Sequence, residues 1–260
     1  MGIVVLYFVV VLLSNTIGAL SGIGGGVIIK PALDAVGAHD LTNISFFSGV
    51  AVFVMAVVSL FDQFKSGFKV KVPPTLAIAL GSVVGGILGN YVFQGLLTIF
   101  PNQEIVLLVQ IILTVISLAL VLLYLKLPIQ SLHIKNLSLI FLVGLFLAFL
   151  STLLGIGGGP INVIMFMYCF SMTMKEASVY SIVTIFFSQL SKLTTIALVE
   201  GFGGYELNIL WVIILASIIG GLWGAKLNQK MSEAHIMLYY SLGTFGVILL
   251  NIVNGVLLLF

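Results

Sequence analysis

The chain has 260 residues, of which 61% are hydrophobic and 7% charged, with a mean hydropathy of +1.30. That is more apolar surface than a soluble core of this length hides, so the composition specifies an integral membrane protein. Ten lysines and no arginine oppose eight acids for a net +2, far from the dense basic face of a nucleic-acid binder, and the single Cys169 excludes an intrachain disulfide or a multi-cysteine metal site.

In chain order, apolar windows fall near 3–20, 41–61, 75–97, 105–125, 137–154, 178–199, 208–225 and 236–258. Most are long enough to cross a hydrocarbon core of about 30 Å. The first, from Met1 to Leu13, lacks the basic region and small-residue cleavage site of a secretory signal and reads as mature structure. Two shorter windows, 26–36 and 160–170, follow glycine-rich breaks at 21–26 and 154–160 that stand 133 residues apart. At about 1.5 Å per residue, an 11-residue helix covers only about half the core, so these are half-helices.

Lysines set the topology. Loops 62–73, 126–136, 171–177 and 226–235 hold eight of the ten, whereas loops 37–40, 94–104 and 200–207 hold none and carry Asp40, Glu104, Glu200 and Glu206. The positive-inside rule assigns the lysine-bearing set to the cytoplasm and both termini to the outside. Loops 126–136 and 171–177 then share a side, so segment 137–170 enters and returns, as does 1–36 from the other side. The expected architecture is an all-α integral membrane protein of two inverted-topology repeats, 1–127 and 128–260. Each is a glycine-broken helical hairpin plus three transmembrane helices, and together they form one transmembrane domain.

A second repeated motif supports the duplication: Gly81-Ser82-Val83-Val84-Gly85-Gly86 matches Ala216-Ser217-Ile218-Ile219-Gly220-Gly221 at a spacing of 135. Small residues four apart let membrane helices approach closely, so its role reads as packing. Such faces also leave room for a homodimer.

The breaks carry the chemistry. An unwound backbone in lipid requires protein or a water-filled cavity around it, and each interior glycine costs a helix about 1 kcal/mol relative to alanine. Gly24, Gly25, Gly26, Gly157, Gly158 and Gly159 therefore imply a site, or else tight hairpin packing. Pro160 suits the first turn of a half-helix. Free N–H groups and the positive dipole end at such a start make an anion site, and inversion would bring the starts near Gly26 and Pro160 together at mid-membrane.

Lys192 lies deep in its window, where a lysine costs about 2.5–3.5 kcal/mol on insertion scales. Ser181, Thr184, Ser188 and Lys192 share a helical face able to line an anion path; the alternative is a lysine snorkelling outward. Ser45 and Ser48 occupy the places of Ser181 and Thr184 at a spacing of 136. Asn162 lies on the second half-helix. Lys30 either adds positive potential to the site or neutralises Asp34. His39, His133 and His235 fall in loops, so no metal site is expected, and no cofactor is implied.

The doubled glycine hairpins, the small polar residues on the following helix and the Gly-Gly-x-x-Gly element together resemble the TauE/SafE sulfite exporters over essentially the whole chain. The resemblance implies a multi-pass transporter of the cytoplasmic membrane that moves sulfite, sulfonates or related small organic anions outward. It places Gly24 to Gly26 and Gly157 to Pro160 at the core of the transport site. The first cluster departs from the second in having Val27 where Pro160 stands.

The expected function is secondary transport of a small oxyanion by alternating exposure of a site between the hairpins. There is no Gly-x-x-x-x-Gly-Lys-Ser/Thr sequence for ATP, so the driving force is expected from gradients or from a partner; the expected ligands are a small anion and the bilayer. Proton coupling, sodium coupling and uniport stay open. An anion-selective channel is the nearest competitor. An intramembrane hydrolase built on Ser188 and Lys192 lacks an oxyanion-hole motif beside the serine, and a dinucleotide-binding reading of Gly22-x-Gly24 lacks its strand and acidic partner; an enzyme is not expected.

Overall fold

A computed structural model describes residues 2–100, 102–127 and 129–259, apart from the side chains of Glu200 and Leu259. Met1, Pro101, Pro128 and Phe260, and the Glu200 charge counted above, lie outside the described residues. The first half holds α1 (Gly2–Ser21), α2 (Gly26–Val36), α3 (Leu41–Lys65), α4 (Val72–Ile99) and α5 (Gln103–Lys126). The second holds α6 (Leu137–Leu154), α7 (Gly159–Phe170), α8 (Met174–Thr195) with a π-helical extension Ile196–Glu200, α9 (Leu210–Lys230) and α10 (Glu233–Leu259). Among the described residues eight helices are long and apolar enough to cross a membrane, whereas α2 and α7 have 11 and 12 residues.

Helix starts follow local capping chemistry. Asp40, Asn102 and Asn136 accept hydrogen bonds from the first-turn N–H groups of α3, α5 and α6, and Thr173 with Glu176 forms a capping box at α8. Gly37 and Gly155 end α2 and α6 in the left-handed conformation, which glycine adopts without a Cβ penalty.

The loops sort into two ends. At one, Lys175 Nζ donates to the Gln229 carbonyl at 2.8 Å, Gln229 Nε2 to Asp62 Oδ2 at 2.9 Å, and the Leu132 N–H to the Tyr168 carbonyl at 2.8 Å. These bonds gather the lysine-bearing connections. At the other, the Tyr7 hydroxyl bonds His39 Nδ1 at 2.7 Å, His39 Nε2 lies 3.5 Å from the Glu206 carboxylate, and the Glu206 N–H donates to Asn43 Oδ1. The α1–α2 hairpin thus opens toward the lysine-free end and α6–α7 toward the lysine-bearing end.

Each hairpin's long arm rests on the other half, α6 along α4 and α1 along α9. A Cβ added at Gly81, Gly85 or Gly89 would overlap the carbonyls of Phe141, Leu145 or Phe149, and one at Gly220 or Gly224 those of Leu12 or Thr16. The second repeated motif is therefore a packing device, as its spacing indicates. Its small faces are covered within the chain, so they are not free for a dimer contact. Around the perimeter, large side chains such as Leu120, Leu242, Phe245 and Leu249 are exposed, as lipid contact requires.

Candidate functional site

The two breaks meet. Gly22 and Gly24 have φ of +76° and +71°, and Gly155, Gly157 and Gly158 have +68°, +75° and +67°, a region costly for other residues. A Cβ at Gly159 would overlap the Ile23 carbonyl, and one at Gly26 would stand 2.9 Å from the Ile156 carbonyl. Each tip lies backbone to backbone against the other.

Both half-helices start without a side-chain cap, on Gly25 and Gly158, in contrast to the four capped starts above. In the first turns the Ile28 N–H reaches back to the Gly25 carbonyl at 3.0 Å and Pro160 has no N–H to place, and the remaining leading N–H groups sit at the positive ends of two helix dipoles. Pro160 falls within the first turn of α7, and its carbonyl accepts from the Tyr240 hydroxyl at 2.6 Å.

The sequence-selected hydroxyls cross between halves. Ser181 Oγ donates to the Gly22 carbonyl at 2.6 Å, so α8 clamps the first break; Ser48 Oγ donates to the Gly155 carbonyl at 3.4 Å, so α3 clamps the second. Thr184 and Ser188 share the buried face but turn inward on their own helix, donating to the carbonyls of Tyr180 and Ile185.

Lys192 is 3% exposed, and its Nζ donates to the Ser45 carbonyl at 3.0 Å and to Ser45 Oγ at 2.9 Å. The ammonium thus turns inward to α3 and does not snorkel. Lys30 pairs with Asp34 at 2.8 Å, both side chains at most 4% exposed, while its Cδ and Cε stand 3.1 Å from a Cβ position at Gly155. Lys30 thus pairs with Asp34, and its aliphatic stem lies against the second break. Asn162 is 1% exposed, and neither amide atom has a hydrogen-bond partner among the described residues. Burying such a group unpaired costs about 1–3 kcal/mol.

Two contributors escaped the sequence reading. Asn15 is fully buried, with Nδ2 donating to Ser217 Oγ at 2.9 Å and Oδ1 unpaired against Gly25. Ser151 stands likewise at Gly158, its unpaired Oγ 3.0 Å from the Cβ position. The spacing of 136 that links Ser45 to Ser181 also links Asn15 to Ser151, and was the available signal.

Space differs between the ends. A cavity of about 580 Å³ opens among Lys69, Lys71, Lys135 and Tyr180 at the lysine-bearing end. At the opposite end a narrow crevice reaches Ser45 and Lys192 beside Phe46 and Tyr205, whose ring centroids are 4.5 Å apart.

A family model, sulfite exporter TauE/SafE, matches residues 7–250. The chain belongs to the TauE/SafE family. It is 27% identical to a probable membrane transporter protein, YunE of Bacillus subtilis (strain 168), over 90% of this chain and 92% of that protein. It is 28% identical to the probable membrane transporter protein MJ0441 of Methanocaldococcus jannaschii, over 94% of each. No solved structure matches significantly. Eight apolar helices and membership of this family make it a multi-pass protein of a membrane transporter family.

Proposed function

We propose that this TauE/SafE-family protein is a secondary transporter that exports a small oxyanion, sulfite or an organosulfonate, across the cytoplasmic membrane. The anion sits where the two glycine breaks meet and is exposed to each side in turn. The observation that carries the reading is the meeting of two uncapped half-helix starts, with Lys192 buried one helix away. Uncapped amide N–H groups and the positive dipole ends of two half-helices lie close together there, which suits an oxyanion. The unpaired amide of Asn162 supplies a further group for the anion or its water to satisfy.

The reading takes residues 1–127 and 128–260 as inverted repeats, with the lysine-bearing loops cytoplasmic and both termini outside. The hairpins opening toward opposite ends, and the exchange of α1 and α6 between halves, support it. The unequal ends favour a carrier over a channel: one end is open while the other is narrowed by Phe46 and Tyr205, as in one state of an alternating cycle.

In proteoliposomes, sulfite and sulfonate uptake should saturate and show counterflow, and Lys192→Ala and Pro160→Ala should alter its kinetics. Unchanged kinetics in both variants at equal protein amounts would overturn the site. For topology, cysteines at Asn102 and Gln130, in a chain lacking Cys169, should react with impermeant reagent from opposite faces, outside and inside respectively.

A further inference from the structure

The cavity at the lysine-bearing end is much larger than a bare oxyanion needs. Its volume of about 580 Å³ lies within the range of pockets that hold small organic ligands, whereas a void of about 150 Å³ already takes a benzene ring. Its chemistry is divided. Lys69, Lys71 and Lys135 stand at the rim, while the deeper wall is Ile78, Ile140 and Tyr180, all buried. The acid among the lining groups, Glu176, accepts from the Thr173 N–H at 3.0 Å within the capping box, and the three lysines outnumber it. The rim is also pinned. His133 and Ser171 hold φ of +51° and +55°, costly for non-glycine residues, and Ser171 Oγ lies 2.6 Å from His133 Nδ1.

We infer that this cavity is a docking site for an organic monoanion with an apolar body of about ring size, occupied before the anion reaches the glycine breaks. The inference rests on the transport reading only for where the ligand goes next. The anionic head pairs with the rim lysines, and the body covers the isoleucines and the tyrosine ring. A purely inorganic anion would leave that wall wet, so the apolar wall selects for the organic body. The floor is linked to both rim and site. The Tyr180 hydroxyl accepts from the Lys71 N–H at 3.0 Å, and the next residue, Ser181, clamps the first break. An occupant that shifts the Lys71 loop therefore pulls on the Tyr180 hydroxyl, one residue from that clamp.

Benzenesulfonate and methanesulfonate share a head and differ in body, which makes them suitable probes. Equilibrium binding to the purified protein in a Lys192→Ala background should favour benzenesulfonate by about tenfold or more. Lys69→Gln/Lys71→Gln/Lys135→Gln should weaken benzenesulfonate about tenfold, whereas the charge-matched Lys65→Gln/Lys226→Gln/Lys230→Gln should stay within twofold. Ile140→Asn should erase the preference for the larger body without weakening methanesulfonate. Equal weakening by both triple variants, or no weakening by the rim triple, would overturn the docking site. No effect of Ile140→Asn on the preference would do the same. Rim-dependent binding together with an absence of any anion flux would leave the docking site standing and defeat the transport reading instead.

Discussion

The two hairpins solve one geometric problem with different residues. In the second, Pro160 stands in the first turn, the N-cap Gly158 two residues before it is left-handed, and the half-helix carries no charge. In the first, Val27 replaces the proline, Gly25 keeps right-handed φ and ψ, and α2 carries the buried Lys30 and Asp34 pair. A rigid, uncharged tip thus faces a softer tip with an internal ion pair. Backbone apposition at the crossing needs only glycine, whereas the residues around it differ between the two hairpins.

The comparison can be broken most sharply at Gly159. Its missing Cβ is occupied by the Ile23 carbonyl, backbone that cannot swing aside, whereas Gly24 faces the flexible end of Ile185, although its positive φ still penalises a side chain. Gly159→Ala should abolish flux and lower the amount of folded protein, with Gly24→Ala retaining measurably more of both; equal damage would mean that the tips do not cross as described.

Next in size is the ion pair carried by the first hairpin alone. Lys30→Ala leaves a buried, unpaired carboxylate and should cost about 3–5 kcal/mol of stability, while Lys30→Ala/Asp34→Ala should recover most of it. Denaturant titration in detergent measures both, and a double variant no more stable than the single one would remove the pair from the account.

Asn162 on the second hairpin should behave in the opposite way. Because its side chain has no hydrogen-bond partner to lose among the described residues, Asn162→Leu should leave the thermal midpoint unchanged or raised while flux falls severalfold. A lowered midpoint with normal flux would make it structural. The smallest effect should belong to the proline itself: Pro160→Ala should destabilise by about 1 kcal/mol or less, through the unfolded chain, while shifting transport kinetics.

Much of this was legible in the sequence because hydrocarbon demands long apolar runs. The half-helices 26–36 and 160–170 appear as Gly26–Val36 and Gly159–Phe170, since glycine clusters bound them on one side and loops on the other. The inward turn of Lys192 was not legible, because its partner Ser45 is 147 residues away and proximity across halves leaves no local mark. The Lys30–Asp34 pair was legible as one of two readings, because the two stand one helical turn apart. Asn15 was obscured because it sits between Ser14 and Thr16, with nothing local to single it out.

The reciprocal seating of α1 on α9 and α6 on α4 also bears on biogenesis. At about 5–20 residues per second, the ribosome needs on the order of ten seconds or more after α1 emerges before its seat has been made. Until then the nascent first half holds its furrows of bare backbone against lipid or insertion machinery. A polypeptide halted after residue 127 should accordingly be recognised as unfinished and degraded, and the two fragments should become durable only when synthesised together.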